Sequence, residues 1–138
     1  MLNIPVTRTS LPNRVVCGEI DPAIEIALNR NPQPWFDDII CHGHRCGLLA
    51  PIINGAHVLI TAQELARFIR RNTTFGTRPI RLLSCWAGRD PNGFAQQLAD
   101  LLRVPVLAAA DRVEVYHFEP VSPDERFRMF WPTPVDDD

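Results

Sequence analysis

An excess of charge of one sign, a secretory leader, long apolar runs and a cysteine framework are all missing from this sequence, and each absence removes a class of protein. Sixteen acidic residues face 14 basic ones, a formal net charge of −2. Nucleic-acid binding relies on a basic face that displaces condensed counterions, so this balance argues against a nucleic-acid partner. Arg67, Arg70, Arg71, Arg78 and Arg81 do gather locally. Three of them fall in the last turn of a predicted helix, where cations favour the negative end of the helix dipole. No stretch approaches the ~18 apolar residues of a membrane-spanning helix, and the opening residues MLNIPVTRTSLPNR lack a basic segment leading into an apolar one. Neither a general secretory signal nor a membrane span is expected. Cys17, Cys41, Cys46 and Cys85 are not spaced like the disulfide scaffold of a small secreted domain, so reduced thiols are expected. Internal repeats, low-complexity tracts and linkers are also absent, which leaves no point at which to divide the chain.

What is present is the composition of an ordinary globule: 138 residues, 46% hydrophobic and 22% charged. A chain of that length buries enough surface for one unstapled core. The expected organisation is a single domain over residues 1–138, with its core at about residues 15–131 and a mobile acidic tail at Val135–Asp138. The 13 prolines cluster between elements and imply short, stiff connections.

Strand-like and helix-like segments alternate, the pattern of an α/β domain with a small, mostly parallel central sheet and helices on both faces. Asp21-Pro22 predicts a helix start, with the carboxylate as N-cap and proline at the first helical position. That helix would present Ile24, Ala27 and Leu28 on one face and end near Asn29–Asn31. Asp38–Cys41 reads as a short buried strand that breaks at His42-Gly43. Leu48–Ile53 and Ala56–Ile60 flank Asn54-Gly55, a strong hairpin signal, with Pro51 confining its strand to an edge. Thr61-Ala62-Gln63-Glu64 spells a capping box, and Leu65, Phe68 and Ile69 continue at helical spacing. Pro79–Ser84 predicts a second core strand, opening at Cys85 into the loop Trp86–Arg89. Asp90-Pro91 repeats the cap-and-proline signal ahead of the stripe Phe94, Leu98, Leu101 and Leu102. A third core strand follows at Val104–Ala108, and Val113–Phe118 and Phe127–Trp131 read as edge strands.

This alternation has a chemical consequence. A right-handed crossover through the helix at Thr61–Arg71 leaves the strands before His42 and before Cys85 parallel, with their carboxyl ends on one sheet edge. Open α/β sheets place their ligand sites on that edge. Cysteine catalysis needs a nucleophilic thiol with an imidazole that takes its proton and returns it to a leaving group, so Cys85 and His42 are the candidate pair. The backbone N–H groups of Gly43 and Cys85 are candidate donors to a developing oxyanion, and Gly88 would give the cysteine loop room to turn. His44 and Trp86 are candidate substrate contacts, whereas His57 and His117 read as structural residues without a polar partner. Cys41, His42, His44 and Cys46 lie close together, but in an extended segment residues two apart point the same way, so His42 and His44 would separate from Cys41, and Cys-x-x-Cys spacing is missing. No metal or cofactor is expected.

Ile39-Ile40-Cys41-His42-Gly43 and Ile80-Arg81-Leu82-Leu83-Ser84-Cys85 resemble the two sequence blocks of the caspase-like cysteine peptidases, in which an apolar strand ends in His-Gly and a later one in the nucleophile. RLLSCWAG followed by GFAQQLADLL and VPVLAA is more closely similar to C-terminal domains of bacterial polymorphic toxins that vary this fold. The resemblance spans about Asp38 to Ala110. It implies a caspase-like fold, a His42–Cys85 dyad with an oxyanion hole at Gly43 and Cys85, a protein substrate and a cognate inhibitor or immunity protein. It further implies a cytoplasmic domain in the producing cell, exported by a specialised secretion system into target cells. Leu83-Ser84 replaces the caspase glutamine–alanine pair, so specificity for aspartyl bonds is not implied. The same thiolate attack would serve a deamidase or an acyltransferase, and a non-catalytic protein-binding domain on the same fold is the alternative of a different class.

Overall fold

A computed structural model describes residues 2–113 and 127–135. The expected strand at Val113–Phe118, His117 and the acidic tail therefore lie largely or wholly outside the described residues. Local signals set most of the elements. Asp21 caps α1 (Pro22–Ala27), its side chain accepting the Ile24 N–H at 2.9 Å. Thr61 and Glu64 complete the capping box of α2 (Ala62–Asn72), which buries Leu65, Phe68 and Ile69. Full burial of each such side chain contributes roughly 1.5–3 kcal/mol. Asn54 and Gly55 both take positive φ, 52° and 80°, and turn the short hairpin of β4 (Ile52–Ile53) and β5 (Ala56–His57).

One helix begins later than its cap signal predicts. Asp90-Pro91 does not open α3 (Phe94–Leu102), because the Asp90 carbonyl accepts the Gly93 N–H at 3.1 Å and closes a turn first. Gly93 becomes the N-cap, without a side-chain hydrogen bond. Two strands near the N-terminus, β1 (Val6–Arg8) and β2 (Arg14–Cys17), carry no clear alternation and go unrecognised in the sequence. All four residues of β2 are buried, so no period-2 pattern is left to read.

The main sheet is mixed, in the order β1-β2-β3-β6-β7-β8, with β3 at Asp37–Ile40, β6 at Ile80–Leu83, β7 at Val106–Ala109 and β8 at Phe127–Phe130. Its four inner strands run parallel, and β1 and β8 pair antiparallel at the edges. Side-chain alternation splits the inner strands between two cores. Ile39 and Leu82 join α2 and α3 on one face, while Val16, Ile40 and Leu83 join Ile24 and Ala27 of α1 on the other. Helices thus cover both faces of an α/β sheet. No helix among the described residues is long and apolar enough to cross a membrane.

The parallel register also lines up three charges, pairing Arg14 with Asp38 and Asp38 with Arg81 on adjacent strands. Arg14 is fully buried and Asp38 nearly so. Arg14 Nε donates to Asp38 Oδ2 at 3.0 Å, and Arg81 donates from Nε to Oδ1 at 2.8 Å and from NH2 to Oδ2 at 2.9 Å. Arg14 also donates to the carbonyls of Ala27, Leu28 and Arg30, and Arg81 to that of Asn31. Asp38→Asn keeps the shape and deletes the carboxylate that both guanidiniums pair with. Removing one partner of a buried ionic group costs about 3–5 kcal/mol. Urea unfolding is expected to show that loss as a lower midpoint at unchanged slope; a change below about 1 kcal/mol would deny the triad its structural weight.

Candidate active site

The pairing of β3 with β6 puts the strand ends before His42 and before Cys85 side by side and parallel. Beyond Ile40 and Leu83 the two chains stay joined, since Cys41 N–H donates to Leu83 O and Ser84 Oγ donates to Cys41 O at 2.6 Å. The loops then press together. A Cβ built on Gly43 would stand 1.9 Å from the Cys85 carbonyl oxygen, so only glycine permits this approach. His42, Gly43, Cys85 and Trp86 all line one cavity of about 290 Å³.

His42 is fixed from behind. Its Nε2 lies 2.6 Å from Asp21 Oδ2, and the two side chains are 27% and 28% exposed. With Nε2 committed to the carboxylate, Nδ1 is the nitrogen left to act on a substrate or a thiol. The His57 ring meets the His42 ring edge-on at a centroid separation of 5.0 Å. His57 Nδ1 is 3.2 Å from the Ala50 carbonyl, which supplies the polar partner that sequence reading did not find. Asp21 and His57 are the site neighbours that sequence missed. The N-cap pattern accounts for one oxygen of Asp21 and leaves the second unassigned, which was the available signal. For His57 only the hairpin fold-back brings it near, and no local signal marks it.

Cys85 Sγ accepts the Val113 N–H at 3.3 Å. Burial pushes its thiol above the ordinary range, and this outweighs the Val113 N–H and Arg112, which favour the thiolate. Burial thus disfavours the Cys85 thiolate. Trp86, directly after it, takes a left-handed φ of 60° and donates its N–H to Asp111 O at 3.0 Å. A bulky residue in that region is strained, and such strain clusters at functional turns. Gly88 is needed for closeness more than for turning, since a Cβ there would lie 2.9 Å from the Ala108 carbonyl oxygen. Among the described residues, neither Gly43 N–H nor Cys85 N–H has a hydrogen-bond partner.

The remaining sequence candidates separate. His44 lies outside the cavity, in a shallow depression with Arg45, Cys46 and Arg89, where its Nδ1 accepts the Cys46 N–H at 3.0 Å. Trp86 borders both depressions. Cys41 is buried against Cys17, with burial pushing its thiol well above the ordinary range, while Cys46 is exposed. The Cys41–Cys46 cluster is thus dispersed, and no metal-holding group of three His, Cys, Asp or Glu residues occurs among the described residues.

The chain matches the family described as Domain of unknown function (DUF8616) over residues 15–128, most of its length. It belongs to that family. The matched span runs from β2 into β8 and takes in Asp21, His42 and Cys85 alike. No curated protein and no solved structure matches the chain.

Asp21 links the helix cap to the histidine, and its ionisation carries a testable sign. Burial raises its carboxyl, but the Ile24 N–H and His42 outweigh that and hold it below the usual range. The associated stability is fully present above the unfolded carboxyl value, near pH 4, and is lost as pH falls through the lower folded value. Asp21→Ala is expected to cost about 1 kcal/mol at neutral pH and to flatten the acid limb of the stability–pH curve. An acid limb identical to wild type would remove the carboxylate from this role.

Proposed function

We propose that this domain is a caspase-like cysteine hydrolase, a protease that works as the toxic domain of a bacterial effector. The observation that carries the reading is the convergence of Cys85 and an Asp21-held His42 on one cavity at the carboxyl ends of adjacent parallel strands. Two further features support it. Among the described residues the Gly43 and Cys85 amides have no hydrogen-bond partner, as an oxyanion hole requires. Cys85 stands just past the end of β6, directly before the strained left-handed Trp86.

In the proposed reaction His42 Nδ1 takes the thiol proton while Sγ bonds to the substrate carbonyl carbon, and the carbonyl π electrons move onto oxygen. The Gly43 and Cys85 N–H groups stabilise that oxyanion. Collapse breaks the carbon–nitrogen bond, and the leaving amine receives the proton from His42. Water then attacks the thioester, with His42 as base, to release the acid and restore the thiol. Asp21 keeps the imidazole oriented and stabilises its protonated form. Burial disfavours the thiolate, so in this scheme proton removal accompanies attack.

Expression in a compartment that holds its target is the test. Wild type is expected to be harmful, and Cys85→Ala harmless at equal abundance, with Cys46→Ala as toxic as wild type because Cys46 is exposed and outside the cavity. His42→Ala should lower labelling of Cys85 by a peptidyl electrophile by about 10²-fold or more, the usual range for a lost general base. A folded Cys85→Ala protein that remains as toxic as wild type would instead leave a protein-binding domain on this fold.

A further inference from the structure

The cavity at Cys85 is built unevenly. Its deep walls are Ile24, Ala27, Ile40 and Leu83, each 4% exposed or less. These residues belong to the core between α1 and the sheet, and the space opens between them. Toward solvent stand half-buried Ala23 and Val113 and exposed Arg112. Among the described residues, Arg112 is the only lining residue with a guanidinium or carboxylate. The buried hydroxyl of Ser84 is already committed to the Cys41 carbonyl. The far end of the cavity therefore offers dispersion contacts and no charge partner.

We propose that this cavity receives the substrate side chain on the acyl side of the scissile bond and selects a branched aliphatic residue of leucine size. The inference rests on the hydrolase reading of Cys85. An acidic side chain reaching the floor would lie unpaired among Ile24, Ala27, Ile40 and Leu83, and its desolvation would go uncompensated because Arg112 stands at the exposed rim. A basic side chain meets the same floor and a like charge on the way in. A leucine side chain would be removed from water into contact with four apolar residues. About 290 Å³ is at the lower limit of ligand pockets, which suits one side chain and its adjoining carbonyl. The short first helix fixes the dimensions, since Ala23 and Ala27 lie one turn apart and their small side chains leave the gap open.

N-Acetylated chloromethyl ketones of leucine, alanine, aspartate and arginine provide the probe. Sγ displaces chloride, forming a carbon–sulfur bond as the carbon–chlorine bond breaks, and the thiol proton passes by way of His42 to solvent. Labelling of Cys85 is followed by intact mass and peptide mapping, with each rate divided by that for iodoacetamide. The leucine ketone is expected to react at least about tenfold faster than the alanine one, since each methylene in an apolar pocket discriminates by about 10–200-fold, and faster again than the aspartate and arginine ketones. Ala23→Phe, at a half-buried position on the rim, should reduce the leucine advantage by about tenfold or more. Aspartate or arginine matching leucine overturns the assignment, as does a leucine advantage unchanged in a folded Ala23→Phe protein. Should Ala23→Phe not fold, the wild-type ordering of the four ketones decides alone. Labelling at Cys85 without aliphatic preference defeats the pocket assignment and leaves the hydrolase reading standing. If no ketone outpaces iodoacetamide at Cys85 and Cys85→Ala retains full toxicity, both fall together.

Discussion

Asp38, buried between Arg14 and Arg81, is the constraint on which the candidate site depends. Three parallel strands contribute one charge each at matched register, and the excess guanidinium donors reach across to the carbonyls of Ala27, Leu28, Arg30 and Asn31. Those carbonyls belong to the C-terminal end of α1 and the turn after it. A six-residue helix is unstable alone, because nucleation is costly and few hydrogen bonds follow it. Here its negative end is held by two cations fixed in the sheet. Its other end then stands where Asp21 can reach His42, so the ionic core of the fold and the orientation of the candidate base are mechanically linked.

The same arrangement explains why the thiol is guarded. Cys85 lines a cavity with apolar walls, and burial penalises its anion more than the Val113 N–H and Arg112 favour it. A thiol of this kind resists adventitious oxidation and alkylation, which attack thiolates. In the proposed reaction a bound carbonyl would bring its developing negative charge to the Gly43 and Cys85 amides, which have no hydrogen-bond partner among the described residues. Under the proposed function the apolar walls would serve selectivity, in the gap beside the two alanines of α1.

Close backbone packing sets the geometry more firmly than side-chain hydrogen bonds do. Gly43 allows the histidine loop to touch the cysteine loop, and Gly88 allows the cysteine loop to lie on β7, where its N–H donates to Ala109 O at 2.8 Å. Between those two contacts the chain turns sharply enough to force Trp86 into the left-handed region. Crowding on both sides holds that residue where its own preference would not.

Local chemistry was legible from sequence alone. The Asp21 and Thr61 caps, the Asn54-Gly55 turn and the strands before His42 and Cys85 are short-range patterns, and the alternation of element types makes the two strand ends share an edge. Tertiary structure decided whatever depends on register or on chain segments far apart. The triad of Arg14, Asp38 and Arg81 exists only when three strands are aligned, and β2 carries no alternation because both of its faces are buried. Asp21 showed its N-cap oxygen in the sequence and hid the other, whose partner lies across the fold. His57 joined His42 only through the hairpin's return. The sequence named the thiol and the imidazole, but the burial that raises the Cys85 thiol comes from neighbours on several elements, which no local pattern encodes.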